Sequence, residues 1–246
     1  MIGLRHITVR FGKREILNDI SADIAGGRIT AVMGPNGCGK TTLLRCVGGL
    51  MQPTGGDVLI DDNPVGSYSA RALAQKVAFV RQQVHTDFEF SAFETVLMGR
   101  NPYQKRLQNE SQADWDIVEQ CMRQTNTWHL RFAKPNQMSG GELQRVMIAR
   151  ALAQQTPVLL MDEPVSNLDI AHQLEIMRLL RTTDKSVVIV IHDLNLALQF
   201  CDDLLLIHNG NLLFHGPIAQ GLTTENISMV YGVKSHMAEG RIIYDY

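Results

Sequence analysis

The sequence predicts an α/β fold, one domain carrying a helical insertion. Three observations predict it: an opening pair of alternating runs joined by a short turn, short all-apolar runs that alternate with helical patterns, and a middle stretch whose apolar residues recur at helical spacing. A length of 246 residues suffices for one sizeable core with an inserted subdomain. The 45% hydrophobic and 20% charged content excludes a disordered or fibrous protein. A formal net charge of -2 argues against broad electrostatic binding to nucleic acid or anionic lipid.

Taken in order, residues 4–10 and 16–24 alternate well enough for two strands joined near Phe11-Gly12-Lys13. Residues 29–33 are a short apolar run ending in a glycine-rich turn, and residues 40–50 then turn helical, which makes strand, turn, helix. Residues 57–60 and 77–80 read as further strands. From about residue 91 to 155 the character changes, with Trp115, Val118 and Met122 falling on one face of a helix over 113–124 and a second strong helix over 139–155. Two buried-type strands follow, 157–161 and 186–191, with a helix over 170–181 between them. That alternation suggests a parallel sheet. Near the end, apolar runs flank Asn209-Gly210, the strongest short-range hairpin signal.

Cys38, Cys46, Cys121 and Cys201 are widely separated and lack metal-type spacing, and the N-terminal residues show no signal-peptide pattern. No apolar run approaches the roughly 20 residues of a membrane-spanning helix. The expectation is a reduced, cytosolic chain that reaches a membrane only through partners.

Gly34-Pro35-Asn36-Gly37-Cys38-Gly39-Lys40-Thr41 fits the phosphate-loop pattern G-x-x-x-x-G-K-[ST] and lies between a predicted strand and a predicted helix. Glycines let the backbone curl so that successive N–H groups point at phosphate oxygens, and the helix N-terminus adds positive potential. Lys40 is placed for the β- and γ-phosphates of ATP, and the Thr41 hydroxyl for Mg²⁺. Asn36, Gly37, Gly39 and Thr42 complete the cradle. Cys38 inside it reads as a small filler, with a thiol activated by the helix N-terminus as the alternative.

Residues 157–163 are a buried strand that delivers Asp162 and Glu163 to its C-terminal end, the edge where ligand chemistry sits in open α/β sheets. Asp162 is placed to hold Mg²⁺ through water, and Glu163 to orient or deprotonate the water that attacks the γ-phosphate. Ser139-Gly140-Gly141-Glu142 opens a helix and is by itself a capping box. Two consecutive glycines weaken a helix start by roughly 1 kcal/mol each relative to alanine. They make sense where something must approach the backbone closely, so a second phosphate-binding element is implied, with two chains sharing a nucleotide.

With these motifs in place, MSGGELQRVMIARALAQQTPVLLMDEPVSNLD resembles the signature-to-Walker-B stretch of ATP-binding cassette ATPases. With the phosphate loop, the similarity covers essentially the whole chain. It implies a P-loop NTPase with a RecA-like core and an N-terminal antiparallel β portion (1–83 and 157–246) and an α-helical subdomain at about 84–156. It implies a homodimer that sandwiches two ATP molecules, with Ser139, Gly140 and Gly141 of one chain touching the γ-phosphate held by the other chain's Lys40. Ser166-Asn167-Leu168-Asp169 matches the loop that crosses the dimer interface, and His192 the switch histidine at the γ-phosphate. Gln82 matches the glutamine that senses Mg²⁺, although Arg81 stands where the family often carries Pro and Gln83 adjoins, leaving the register open by one. Phe11 sits where an aromatic usually stacks on adenine, with core packing as the rival reading. Met138 replaces the leucine that usually opens the signature, a volume-conserving change.

DIAHQLEIM, HDLNLAL and ISMVYGV look like segments of the ATPases that power importers of iron–siderophore complexes, haem and cobalamin. The resemblance implies ATP hydrolysis coupled to transport and two membrane permease subunits seated on the helical subdomain. It also implies an external binding protein, no nucleic-acid partner, and a peripheral place on the cytoplasmic face of a bacterial inner membrane. Importers of zinc or manganese are the near competitor. A soluble, non-transport cassette ATPase would more often carry coiled-coil insertions or a second cassette.

Overall fold

Alternation governs the first strands, and a bulge resets it. In β1 (Ile2–Phe11) the buried residues Ile2 and Leu4 are followed by Ile7 and Val9, one position out of step. The slip falls between Leu4 and Ile7, where the register against β2 (Arg14–Ile24) shifts and His6 takes a φ of 53°. Gly56 abuts this bulge: a Cβ there would lie 2.2 Å from the carbonyl oxygens of Arg5 and His6. The structure is a computed structural model that describes residues 1–81, 90–104, 110–166 and 168–245. It divides into two compact units, Met1–Tyr68 with Asp184–Tyr246, and Ser69–Thr183.

In the first unit, β3 (Ile29–Met33) is buried at every position and leads through the glycine loop into α1 (Lys40–Val47). β4 (Gly55–Ile60) and the short β5 (Asn63–Pro64) follow. β2, β1, β4 and β5 form an antiparallel sheet in that order, the N-terminal β portion expected from the sequence.

The second unit runs α2 (Ala70–Ala74), β6 (Val77–Val80), α3 (Ala92–Leu97), α4 (Gln112–Gln124), α5 (Gly140–Ala153), β7 (Val158–Asp162) and α6 (Ile170–Arg181). β6 and β7 pair in parallel, with Val77 opposite Val158 and Val80 opposite Met161. Val118 and Met122 are buried as the helical spacing predicts, but Trp115 is 49% exposed and meets Phe93 edge-on at 5.7 Å between ring centroids. Buried Arg100 ties the helices together: its Nε donates to Asp114 Oδ1 (2.9 Å) in the first turn of α4, and its Nη1 to the Ala153 carbonyl (2.7 Å) that ends α5. A guanidinium so placed meets an anion and the negative end of a helix together.

The first unit resumes with β8 (Ser186–Val190), α7 (Leu194–Phe200), β9 (Asp203–His208), β10 (Asn211–Pro217), α8 (Ile218–Gly221) and α9 (Thr224–Tyr231), and closes on the hairpin of β11 (Ser235–Ala238) and β12 (Arg241–Tyr244). β3 pairs in parallel with β8 on one side and β9 on the other, and β10 is antiparallel at the edge. Strands buried on both faces read as unbroken apolar runs, which is why ITAVM and SVVIV carry no alternation. Asn209 and Gly210 have φ of 49° and 77°, the two left-handed residues a tight hairpin needs. Asn195 binds the terminal hairpin as a strand would, donating from Nδ2 to the Ile242 carbonyl (3.0 Å) and accepting the Ile242 N–H on Oδ1 (2.8 Å). Among the described residues, no helix is long and apolar enough to cross a membrane.

Candidate active site

The glycine loop springs from the C-terminal end of β3, and α1 starts on Gly39 with no side-chain cap, so the first N–H groups of the helix stay available to an anion. Gly34 has a φ of +145°, and a Cβ there would lie 2.0 Å from the Ile207 carbonyl oxygen. Gly39, with a φ of +107°, is constrained less severely, by the Leu17 methyl at 2.5 Å and the Ile16 carbonyl oxygen at 3.0 Å. Lys40 is 6% exposed, and its Nζ donates to the carbonyls of Gly34 (2.8 Å) and Pro35 (2.9 Å), which holds the ammonium across the loop it is meant to serve. Asn36 and Gly37 are exposed at the crest, and Thr41 and Thr42 are half-buried in the first turn of α1. This cradle fits a triphosphate: a helix start with no side-chain cap, a lysine head at the mouth and a hydroxyl behind it.

Cys38 is buried, and burial pushes its thiol up against the opposing pull of Lys40. That direction runs against an activated thiol and with the reading of Cys38 as a small filler. Sequence reasoning missed Tyr231, whose only signal was its place in ISMVYGV. Burial raises this phenol to about 12, while an N–H from Gly34 that donates to its oxygen works the other way. The end of α9 thus braces the cradle. Phe11 ends β1 at 54% exposed, which removes core packing as its reason for being aromatic. His192 is exposed just past β8, whose Val190 lies opposite Val32 of β3, so the histidine and the cradle leave the same edge of adjacent parallel strands. Asp193 then caps α7, accepting the Leu196 N–H at 2.9 Å.

The second unit holds the other group of predicted residues. Asp162 is buried at the last position of β7, and Glu163 follows, half-buried, with a φ of 49°. The loop from there to α6 is closed by its own groups. The Glu163 carbonyl accepts from Ser166 Oγ (3.0 Å), and the Val165 carbonyl from the Leu168 N–H (3.2 Å). Asp169 caps α6: its Oδ1 accepts the His172 N–H (2.9 Å) and the His172 ring Nδ1 (2.8 Å). A carboxylate only accepts, so this Nδ1 carries the proton. These bonds, the backbone one first, hold the Asp169 carboxyl below its usual range, and Arg145 of α5 adds to the effect. Gln173 Nε2 donates to the carbonyls of Val165 and Leu168, both at 3.0 Å.

Ser139 caps α5 in the expected box: its Oγ accepts the Glu142 N–H at 3.2 Å, and Glu142 Oε2 accepts the Ser139 N–H at 2.8 Å. The backbone bond from Ser139, then its hydroxyl, holds the Glu142 carboxyl below the ordinary carboxylate range. A Cβ on Gly140 would meet nothing within 4 Å. Gln82 and Gln83 lie outside the described residues.

A buried strand, a glycine loop and a helix carrying Lys40 and Thr41 in the first unit, and an Asp-Glu pair ending a buried strand in the second, are the elements of the P-loop fold. Residues 17–166 match the family described as ABC transporter, and the chain belongs to that family. A cobalamin import ATP-binding protein of Halobacterium salinarum is 37% identical over 232 residues, 93% of this chain and 58% of that protein, so the chain spans little more than half of this relative. A hemin import ATP-binding protein of Thermobifida fusca is 36% identical over 94% of this chain and 82% of its own. The ferric enterobactin transport ATP-binding protein of Escherichia coli is 33% identical over 93% and 86%. Among solved structures, the dimeric post-hydrolysis cassette MJ0796 bound to ADP and phosphate superposes with a TM-score of 0.80 at 30% identity, covering 89% of this chain and 99% of that one. A putative metal-chelate type ABC transporter in an inward-facing conformation gives 0.83 at 26% identity, covering 99% and 95%.

Proposed function

We propose that this chain is the ATPase subunit of a membrane importer for an iron–siderophore complex, haem or cobalamin. The observation that carries the reading is whole-chain similarity, at 33–37% identity, to import ATP-binding proteins for those cargoes and to no single one of them alone. The chain works as a homodimer against two permease subunits on the cytoplasmic face of the inner membrane, with an external binding protein delivering cargo. The helical segment at 84–156 is the part that receives the permeases.

In this reading the cradle from Gly34 to Thr42 binds the phosphates of ATP and Phe11 stacks on its base. Thr41, Asp162 and the Gln82 position would hold Mg²⁺, which neutralises charge on the phosphate oxygens. Glu163 accepts a proton from the attacking water, and His192 donates toward the γ-phosphate. Ser139, Gly140 and Gly141 of the second chain close on that phosphate from the far side, and Asp169 meets the partner across the interface. Nucleotide then acts as the glue of the dimer.

The test is reconstitution in vesicles with candidate permeases from the source genome, each with its external binding protein. ATP turnover should rise when that protein carries a ferric siderophore, haem or cobalamin. Stimulation by zinc or manganese alone would assign the chain to metal-ion import instead, and failure to bind any permease would sink the importer reading.

A further inference from the structure

The described residues between Glu163 and Asp169 lead from a buried strand into α6, and their backbone carbonyls need donors there. The apolar members, Val165 and Leu168, are 5% and 7% exposed and anchor the loop inward, while Ser166 and Asp169 face out. The two anchors are bridged by one group, the amide of Gln173, whose two N–H bonds reach the carbonyls of Val165 and Leu168 at 3.0 Å each. Nothing about a helix first turn requires glutamine here. The next residue back, His172, holds Asp169 at the exit of the same loop, through both its backbone N–H and its ring.

We infer that Gln173 is a positioning residue for hydrolysis, an amide staple that fixes the 163–169 loop so that Glu163 and Asp169 stand where the closed dimer needs them. The inference rests on the dimer reading above. The staple binds from inside the chain, through side-chain donors to backbone carbonyls, and leaves the outward groups Ser166 and Asp169 to the partner. A loop released from it still binds ATP, because the cradle belongs to other residues. It loses turnover, because misplacing a reacting group by up to about 1 Å costs roughly ten- to a hundredfold in rate.

The test uses the full chain and compares Gln173→Met with Gln173→Glu in ATP turnover. Methionine keeps the volume and removes both donors; glutamate keeps the shape and turns oxygen toward two carbonyl oxygens. The expected order of kcat is wild type, then Met about tenfold lower, then Glu lower still, with KM for ATP within about threefold throughout. A role in volume or stability alone would place the glutamate variant nearest wild type, or would lower the unfolding midpoint while leaving kcat of the folded protein unchanged; either overturns the inference. So does failure of both variants to fold, since Gln173 would then be structural. Glu163→Gln runs alongside: normal turnover there removes the dimer reading itself, whereas an inactive Glu163→Gln beside a normal Gln173→Met removes only the staple.

Discussion

The cradle at Gly34–Gly39 and the signature at Gly140 both use glycine where a phosphate is expected, and they are glycine for opposite reasons. At Gly34 and Gly39 the chain's own atoms occupy the space of a side chain, at 2.0 Å and 2.5 Å. At Gly140 the space is open, and the preceding cap is complete without it. Gly34 and Gly39 are therefore specified from within. At Gly140, as at Gly37 on the crest of the cradle, no neighbouring atom of the chain stands in the way of a side chain. Substitutions in the cradle should show first in ATP binding, and those at Glu163 and the signature first in turnover.

The sharpest test of that division is Glu163→Gln. Hydrolysis should fall by about 10²–10⁴-fold while ATP affinity stays intact, measured by phosphate release and by equilibrium binding, and ATP should then trap a stable dimer in size exclusion. Near-normal turnover would break the comparison. Next comes Gly34→Ala, which forces a Cβ onto the Ile207 carbonyl in a left-handed backbone. A loss of about 3 kcal/mol in urea unfolding is expected. Lys40→Ala should weaken ATP binding about 10- to 100-fold by calorimetry, since a charge-assisted contact is removed. Gly140→Ala should leave stability unchanged or raise it by up to about 1 kcal/mol, because alanine is the better helix residue and has room. It should nevertheless lower turnover at least about tenfold. That pair of results, opposite to those at Gly34, would sharpen the comparison most. The smallest effect concerns Cys38: with its thiol raised, less thiolate is present at any given pH, so alkylation at pH about 8 should run slower than for free cysteine.

Much of this was legible in the sequence because motif and local context agreed. Residues 29–41 announced strand, loop and helix together, and Asn209-Gly210 announced the hairpin that its φ values of 49° and 77° complete. Element ends were less legible: the helix read to residue 50 stops at Val47, where Gly48 and Gly49 end it. Trp115 shared a helical face with Val118 and Met122 on spacing alone, yet remains half-exposed against Phe93 because periodicity fixes a direction and not a depth. The terminal hairpin has strands of four residues, too short for a period to declare itself. The Gln173 staple and the Tyr231 brace were illegible for a different reason. A long side chain reaching a backbone group leaves no pattern along the chain, since its partner has no side-chain identity to read.

Asn195 stitches β12 to the helix that follows His192, replacing a strand partner with one amide. Mechanical load on the last hairpin is thereby passed to the neighbourhood of the histidine. A fusion or affinity handle joined downstream of β12 pulls on that stitch, so kinetic work on this protein belongs on a version whose handle sits elsewhere or has been cleaved away.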